Sequence, residues 1–425
     1  MATSESECYT ITSLPESEED TSMVMSESED MAASALNHSE SATQYTLADL
    51  NQHTYELERV LSFVGAHHRG IAACVCRCWH DVIYLRGMWR GLQRIKAEAN
   101  MENMVPSLRT RGINQVQIRS TNLDAIITND DSIQERFGRQ LCYLTMNMVN
   151  SLAKLDLSHV YIEVKEEFLL QAFNEAMPYL SDLILSDHFI STNQVVCRIA
   201  ENCVNLETLE VPFSYIDDHT VAVIGSKLQT LDRFSLESCG AITAIGARNI
   251  KLHMPQLRFL DLSRTDLKDA DIRHIAQLKD LRSLSLCGCR CLSAACIDIL
   301  SQHNSPVNTL TLTCLGDEPG DEVLKRLGQS KLHLIDVKVG SWCGPVTDSG
   351  IAHFLGQTQK QLRYIEIGGH CNVTDNGLAD LAQVCVDLYY ILIKDKDVLE
   401  KAKQALEERK KNSKKRKRTN QSKEE

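Results

Sequence analysis

Three cysteines stand at alternate positions in "CVCRCWHDVIYLRGMWRGL": Cys74, Cys76 and Cys78, with His67, His68 and His80 nearby. Thiolates and imidazoles are zinc ligands, so a structural metal site is the first chemistry to weigh. Such sites pair cysteines with two to four residues between them, in two well-separated couples. On a helix, Cys74 and Cys78 share a face while Cys76 points roughly opposite, so three ligands converge only if the segment unwinds. Small apolar thiols packed within a helix suit the spacing better. "SWCGPV" at 341–346 imitates a thioredoxin-type redox motif, but Val346 stands where the resolving thiol is needed. Cys343 therefore has no disulfide partner there, and the segment reads as a turn inside a repeat. No Gly-rich phosphate loop, metal-ligand spacing or nucleophile motif occurs elsewhere. The expectation is a protein with no catalytic residue, metal or cofactor.

Without chemistry of its own, the chain must act through surface. Its 425 residues carry a formal charge of −12. Residues 1–46 hold ten Asp and Glu and no Lys or Arg, while residues 401–425 hold eleven Lys and Arg against four Glu. Removing the −10 of the first segment and the +7 of the last leaves −9 on the middle. That sign argues against direct nucleic-acid binding by the body. No secretory n-region and h-region opens the chain and no run of ~18 apolar residues occurs, so neither secretion nor membrane insertion is expected. Sixteen cysteines without a secretory signal then read as reduced thiols of the cytosol or nucleus.

From about residue 150 one phrase recurs, apolar-x-x-apolar-x-apolar. It reads "LAKLDL", "LSDLIL", "LETLEV", "LDRFSL", "LRFLDL", "LRSLSL", "VNTLTL", "LHLIDV", "LRYIEI" and "LYYILI", opening at Leu152, Leu180, Leu206, Leu231, Leu257, Leu281, Val307, Leu332, Leu362 and Leu388. The copies lie 24 to 30 residues apart, which is the signature of a solenoid. The end of each phrase alternates with a period of two, as a strand does. Apolar residues at helical spacing follow, such as Leu378 and Leu381 in "VTDNGLADLAQVCV". Each unit is thus strand, turn and helix, an α/β architecture whose units share one core by stacking.

The phrases "CGCRCLSAACIDIL" and "HCNVTDNGLADL" resemble the leucine-rich-repeat family, in its cysteine-containing subtype with ~26-residue units. The resemblance covers about residues 150–395, with "GINQVQIRS" at 112–120 as a degenerate first unit. It implies parallel strands on a concave face and helices outside. "LCYLTM" at Leu141 lies only eleven residues before Leu152, which leaves the register there open.

The opening stretch then takes another meaning. Leu57, Val60, Leu61 and Val64 form an i, i+3, i+4, i+7 stripe. Ile71, Val75, Trp79 and Val82 mark a second helical segment, and Gly87 breaks it before Met88 and Trp89. A core of ~45 residues is small enough to need a partner over its remaining apolar surface. "ELERVLSFV", "VCRCWHDVI" and "MWRGL" resemble the F-box, the module by which substrate receptors dock on the Skp adaptor of cullin–RING ubiquitin ligases. Val75, Cys76, Arg77, Trp79 and the Met88–Trp89 pair carry the signature. Gln52–His53 replaces the family's opening Leu-Pro, and His68–Arg69 replaces its acidic-apolar pair. The resemblance implies adaptor contact by Leu57, Val60, Leu61, Val64, Ile71, Val75, Cys76, Trp79, Met88 and Trp89. It makes the whole an F-box/leucine-rich-repeat substrate receptor. The competing reading is a helical cap over the first repeat's open core edge. Trp79 is internal under both.

If third, fifth and seventh residues of each phrase face outward, the fifth positions are Asp156, Ile184, Glu210, Ser235, Asp261, Ser285, Thr311, Asp336, Glu366 and Leu392. Five of these ten are acidic and none is basic, on ten strands spanning roughly 45 Å. Such a stripe favours a basic protein substrate, with Phe259, Tyr364 and Tyr390 at third positions as anchors. The alternative is that the acids only solvate the face.

The domain plan is therefore a disordered acidic segment (1–46), an F-box-like module (47–92), a linker (93–112), a solenoid of ten to eleven repeats (113–397), and a helix with a basic tail (398–425). In the first segment, "SEED" and "SESED" suit acidophilic kinases at Ser17 or Ser26. In the last, Lys414, Lys415, Arg416, Lys417 and Arg418 resemble a nuclear-import signal read by importin, giving a nuclear and cytoplasmic protein. The alternative function is a nuclear repeat scaffold without ligase association.

Overall fold

The computed structural model describes residues 92–120, 131–189, 191–355 and 361–393, together with Leu61, Arg69, Ala72, Trp79 and Val82 of the N-terminal stretch. Those five residues are helical. Strands and helices then alternate. They run β1 (Gln93–Lys96), α1 (Met101–Arg111), β2 (Gln115–Arg119), α2 (Asp131–Met148), β3 (Lys154–His159), α3 (Glu166–Ala172), β4 (Asp182–Ile184), α4 (Asn193–Asn202), β5 (Thr208–Glu210) and α5 (Asp218–Lys227). The series continues with β6 (Arg233–Ser235), α6 (Ala244–His253), β7 (Phe259–Asp261), α7 (Asp269–Ile275), β8 (Ser283–Ser285), α8 (Ala295–Gln302) and β9 (Thr309–Thr313). It closes with α9 (Gly320–Gln329), β10 (Asp336–Thr347), α10 (Asp348–Leu355), β11 (Tyr364–Asn372), α11 (Asp375–Val384) and β12 (Tyr390–Ile393). The strands form one parallel sheet in sequential order, β1 to β12. This is a leucine-rich-repeat solenoid.

The apolar positions of the phrase explain the register. Leu155, Leu183, Leu209, Phe234, Leu260, Leu284 and Leu310 pair strand to strand along one row, and all are buried. A strand of three residues buries too little to stand alone, so its stability comes from the repeat on either side. Beyond the strands, Phe213, Ser238, Arg264, Gly288 and Cys314 each take the left-handed conformation. Their N–H groups donate to the carbonyls of Glu237, Ser263, Cys287, Thr313 and Gly340 in the next repeat, at 2.6–2.8 Å. The hydrogen-bond ladder thereby continues past the strand ends, pairing these five backbone N–H groups.

A second ladder runs along the helix starts. Asp218 accepts from the N–H of Thr243 at 2.8 Å, Asp269 from Ser293 at 2.9 Å, Asp321 from Thr347 at 2.8 Å and Asp348 from Thr374 at 2.7 Å. In each pair the acid heads one helix and the hydroxyl residue precedes the helix that follows in the next repeat. Gly246, Gly350 and Gly377 follow three residues after Thr243, Thr347 and Thr374, and a Cβ at any of them would strike the paired carboxylate.

Three expectations need correction, and the register left open at Leu141 is settled. Residues 93–112, read as a linker, hold β1 and α1 and begin the sheet. "LCYLTM" lies within helix α2, so it is no repeat strand. The phrase at Leu332 is displaced by two residues: Leu334, Val337 and Val339 are its buried set, and Asp336 pairs with Thr309 and Tyr364 in the third-position row. Residues 341–346 are part of β10, which carries a register shift between Ser341 and Val346, and form no simple turn.

Candidate interaction surface

The outward rows of the sheet follow directly from strand pairing. Lys154, Asp182, Thr208, Arg233, Phe259, Ser283, Thr309, Asp336, Tyr364 and Tyr390 form one row. Asp156, Ile184, Glu210, Ser235, Asp261, Ser285, Thr311, Lys338, Glu366 and Leu392 form the next. The displaced register at β10 puts Lys338 where the sequence suggested Asp336. The fifth-position stripe therefore holds four acids and one base, and its charge is local.

The predicted contacts fall into distinct settings. Asp156 is only 7% exposed. Its oxygens accept from Gln117 Nε2 at 2.7 Å, Ser158 Oγ at 2.7 Å and the Ser158 N–H at 3.1 Å. That carboxylate is committed within the chain, so a contact with cargo is not its role. Glu210 and Asp261 lie half-buried two strands apart on the same row. Burial raises the pKa of both; Arg233 opposes the shift at Glu210, and hydrogen bonds from Ser263 oppose it at Asp261. Glu237, beyond the end of β6, completes this acidic group. Burial, followed by the charge of Asp261, pushes its carboxyl up to about 7, against the pull of Arg264, whose Nη1 stands 4.0 Å away. Arg233 also covers the Phe259 ring at 4.1 Å.

At the far end, Tyr364 and Tyr390 stack in parallel with ring centroids 5.3 Å apart. The Tyr364 hydroxyl donates to Glu366 at 3.0 Å, and Lys338 Nζ lies 3.3 Å from the same carboxylate. Burial and the Glu366 charge raise the Tyr364 pKa, so the phenol stays protonated. Phe259, Tyr364, Tyr390 and Glu366 are all half-buried on the open face, an apolar and polar mixture suited to gripping a peptide. The middle acids and the far aromatic pair are separated by the Ser and Thr side chains of β8 and β9.

Arg233, Glu237, Arg264 and Lys338 were absent from the sequence-derived set. The first and second stand at the third and seventh positions of "LDRFSLE", so tabulating those positions beside the fifth would have found them. Lys338 needed the corrected register. Arg264 lies in the turn after β7, where the phrase gives no signal.

Of the sequence-predicted adaptor contacts, Leu61 and Trp79 fall among the described residues. Leu61 is 1% exposed and, with Val82, belongs to the apolar core shared with the repeats. Trp79 and Ala72 are partly buried against that core. Leu57, Val60, Val64, Ile71, Val75, Cys76, Met88 and Trp89 lie outside the described residues, as do Lys414–Arg418 and the thiols of 74–78. Among the described residues no group of three or more His, Cys, Asp or Glu could hold a metal ion, and no helix is long and apolar enough to cross a membrane. Buried thiols such as Cys203 and Cys239 are pushed up to about 12 by desolvation, so they pack as small apolar groups.

No protein-family model matches the chain. Its fold is similar to solved repeat structures at low identity. The crystal structure of the Rad7 and Elc1 complex in yeast matches at 13% identity and TM-score 0.42, covering 83% of this chain and 96% of that one. An internalin, InlF, from Listeria monocytogenes matches at 17% identity and TM-score 0.37, covering 84% and 83%. The leucine-rich-repeat-containing protein LegL7 from Legionella pneumophila matches at 11% identity and TM-score 0.45, covering 74% and 97%.

Proposed function

We propose that the chain is the non-catalytic substrate-recognition subunit of an SCF-type ubiquitin ligase. The N-terminal helical stretch docks on a Skp-type adaptor, and the open face of the solenoid holds a protein target. The observation that carries this reading is the pairing of two features in one chain. An F-box-like signature at Val75, Cys76, Arg77, Trp79, Met88 and Trp89 directly precedes a sheet that has twelve strands among the described residues. That sheet displays charged and aromatic side chains on one face. Leu61 lies in the chain's own core and is left out of the adaptor contact. The sharing of that core by Leu61, Val82 and the repeats supports a fixed geometry between adaptor and cargo. Such tethering raises the effective concentration of a target lysine near the ubiquitin donor. Glu210, Glu237 and Asp261 favour a basic target segment by complementarity, and the Tyr364–Tyr390 stack supplies an apolar anchor. The basic run Lys414–Arg418 serves importin-dependent entry into the nucleus.

A second reading has its own observation. Burial of Leu61 and Val82 and the packing of Trp79 against the core also suit a cap on a nuclear interaction scaffold. Affinity purification with ligase activity blocked separates the parts. The intact chain should retain a target together with the adaptor, and Asp261→Lys combined with Glu366→Lys should lose the target while keeping the adaptor. An unchanged set of retained targets would remove the open face from the reading. A target retained with no adaptor at all would favour the scaffold.

A further inference from the structure

The first three strands carry a charge opposite to that of the molecule. Lys96 pairs with Arg119, and Arg119 with His159, in one row across β1, β2 and β3. In the adjacent row Arg94 pairs with Gln117 and Gln117 with Asp156, while Lys154 opens β3. Both Arg94 Nε, at 3.3 Å, and Arg119 Nε, at 2.9 Å, donate to the single amide oxygen of Gln117. Asp156, the one acid in these rows, is already saturated by Gln117 and Ser158. Lys96, Arg119 and Lys154 against that one carboxylate leave +2 on three strands about 4.8 Å apart. Among the described residues no carboxylate forms an ion pair with Lys96, Arg119 or Lys154. Like charges on neighbouring strands repel; the pKa of His159 is lowered from its ordinary value, first by burial and then by the charge of Arg119. An anionic ligand on this row would relieve that repulsion.

The sequence holds a matching anion close by. Residues 1–46 carry ten acidic residues and no basic one, and residues 47–92 stand between them and β1. A random chain of 46 residues has an end-to-end distance of about 35–40 Å, enough to cross three strands. We propose that the basic row across β1–β3 is the docking site of the chain's own acidic N-terminal segment, which covers this end of the open face in cis. A phosphate on Ser17 or Ser26 adds charge to the docked segment and tightens it. The proposal stands on the pairing of these strands and the charge of the segment, independently of ligase association.

Carbodiimide coupling of the dilute full-length chain tests it, because the reagent joins an amine to a carboxylate only when the two are in contact. Mass spectrometry of the monomer fraction should find Lys96 or Lys154 joined to acids of residues 1–46. Arg119→Gln should reduce those links at an unchanged melting temperature, and raising NaCl from about 0.05 M to about 0.5 M in the unaltered protein should reduce them at least fivefold. Acids of the segment joined only to lysines of residues 401–423, or absence of any link to Lys96 and Lys154 in the monomer, would overturn the proposal. Links to Lys96 and Lys154 seen only in dimers would overturn docking in cis.

Discussion

Glu237 is the residue whose setting makes the most direct physical demand. Its side chain is 16% exposed, its carboxyl is pushed up to about 7 mainly by burial, and in the unfolded chain it titrates near 4.3. The native state then binds more protons than the unfolded state between those values. Stability from this group is complete below the lower value and falls as pH rises through the higher one. Glu237→Gln removes the charge while keeping the shape. Chemical denaturation should find the variant more stable than the parent at pH 8, by up to about 3 kcal/mol. The advantage should shrink as pH falls and be gone near pH 4. An equal difference at both pH values would show that Glu237 is not held by its neighbours as described. Asp261, Asp187 and Glu210 add to the upward push that burial begins, and Arg264 opposes it.

At the scale of elements, the strand phrase was legible because its period-two apolar pattern has no other stable use. Leu260 or Leu284 can be buried only if every neighbouring repeat presents its own leucine at the same height. The one misplacement, at Leu332, arose because Leu332 and Leu334 are both apolar and both buried, so the pattern fits two registers and only the pairing of Asp336 with Thr309 decides. The strand β1 was missed for a different reason: "QRIK" has a single apolar residue, Ile95, and too short a span to signal a period. The ladder between helix starts was present in the sequence as "VTDSG" and "VTDNG" but unreadable alone, since the partner of each Thr sits 26 residues back. That ladder makes a coupled prediction. Asp348→Ala should cost about 1–2 kcal/mol by removing the acceptor for Thr374. Gly377→Ala should also destabilise, because its Cβ strikes the Asp348 carboxylate. In a double-mutant cycle the cost of Gly377→Ala should be smaller when Asp348 is already Ala. Strictly additive costs would mean that the glycine answers to something else.

For the whole molecule, the open face is divided by charge along its length. A basic row lies on β1–β3 and an acidic group around β5–β7; hydroxyl residues occupy β8 and β9, and a mixed aromatic end lies on β10–β12. The net charge of −12 conceals this division, which depends on which residues share a row. The function resting on it needs the N-terminal stretch to keep an apolar surface that another protein covers. Light scattering of the purified chain with a recombinant Skp adaptor measures that most directly. The account predicts a one-to-one complex with a Kd below about 1 µM, lost in Val75→Glu combined with Trp89→Ala while the repeats melt unchanged. Two separate species at about tenfold that concentration, with the chain fully folded, would contradict it.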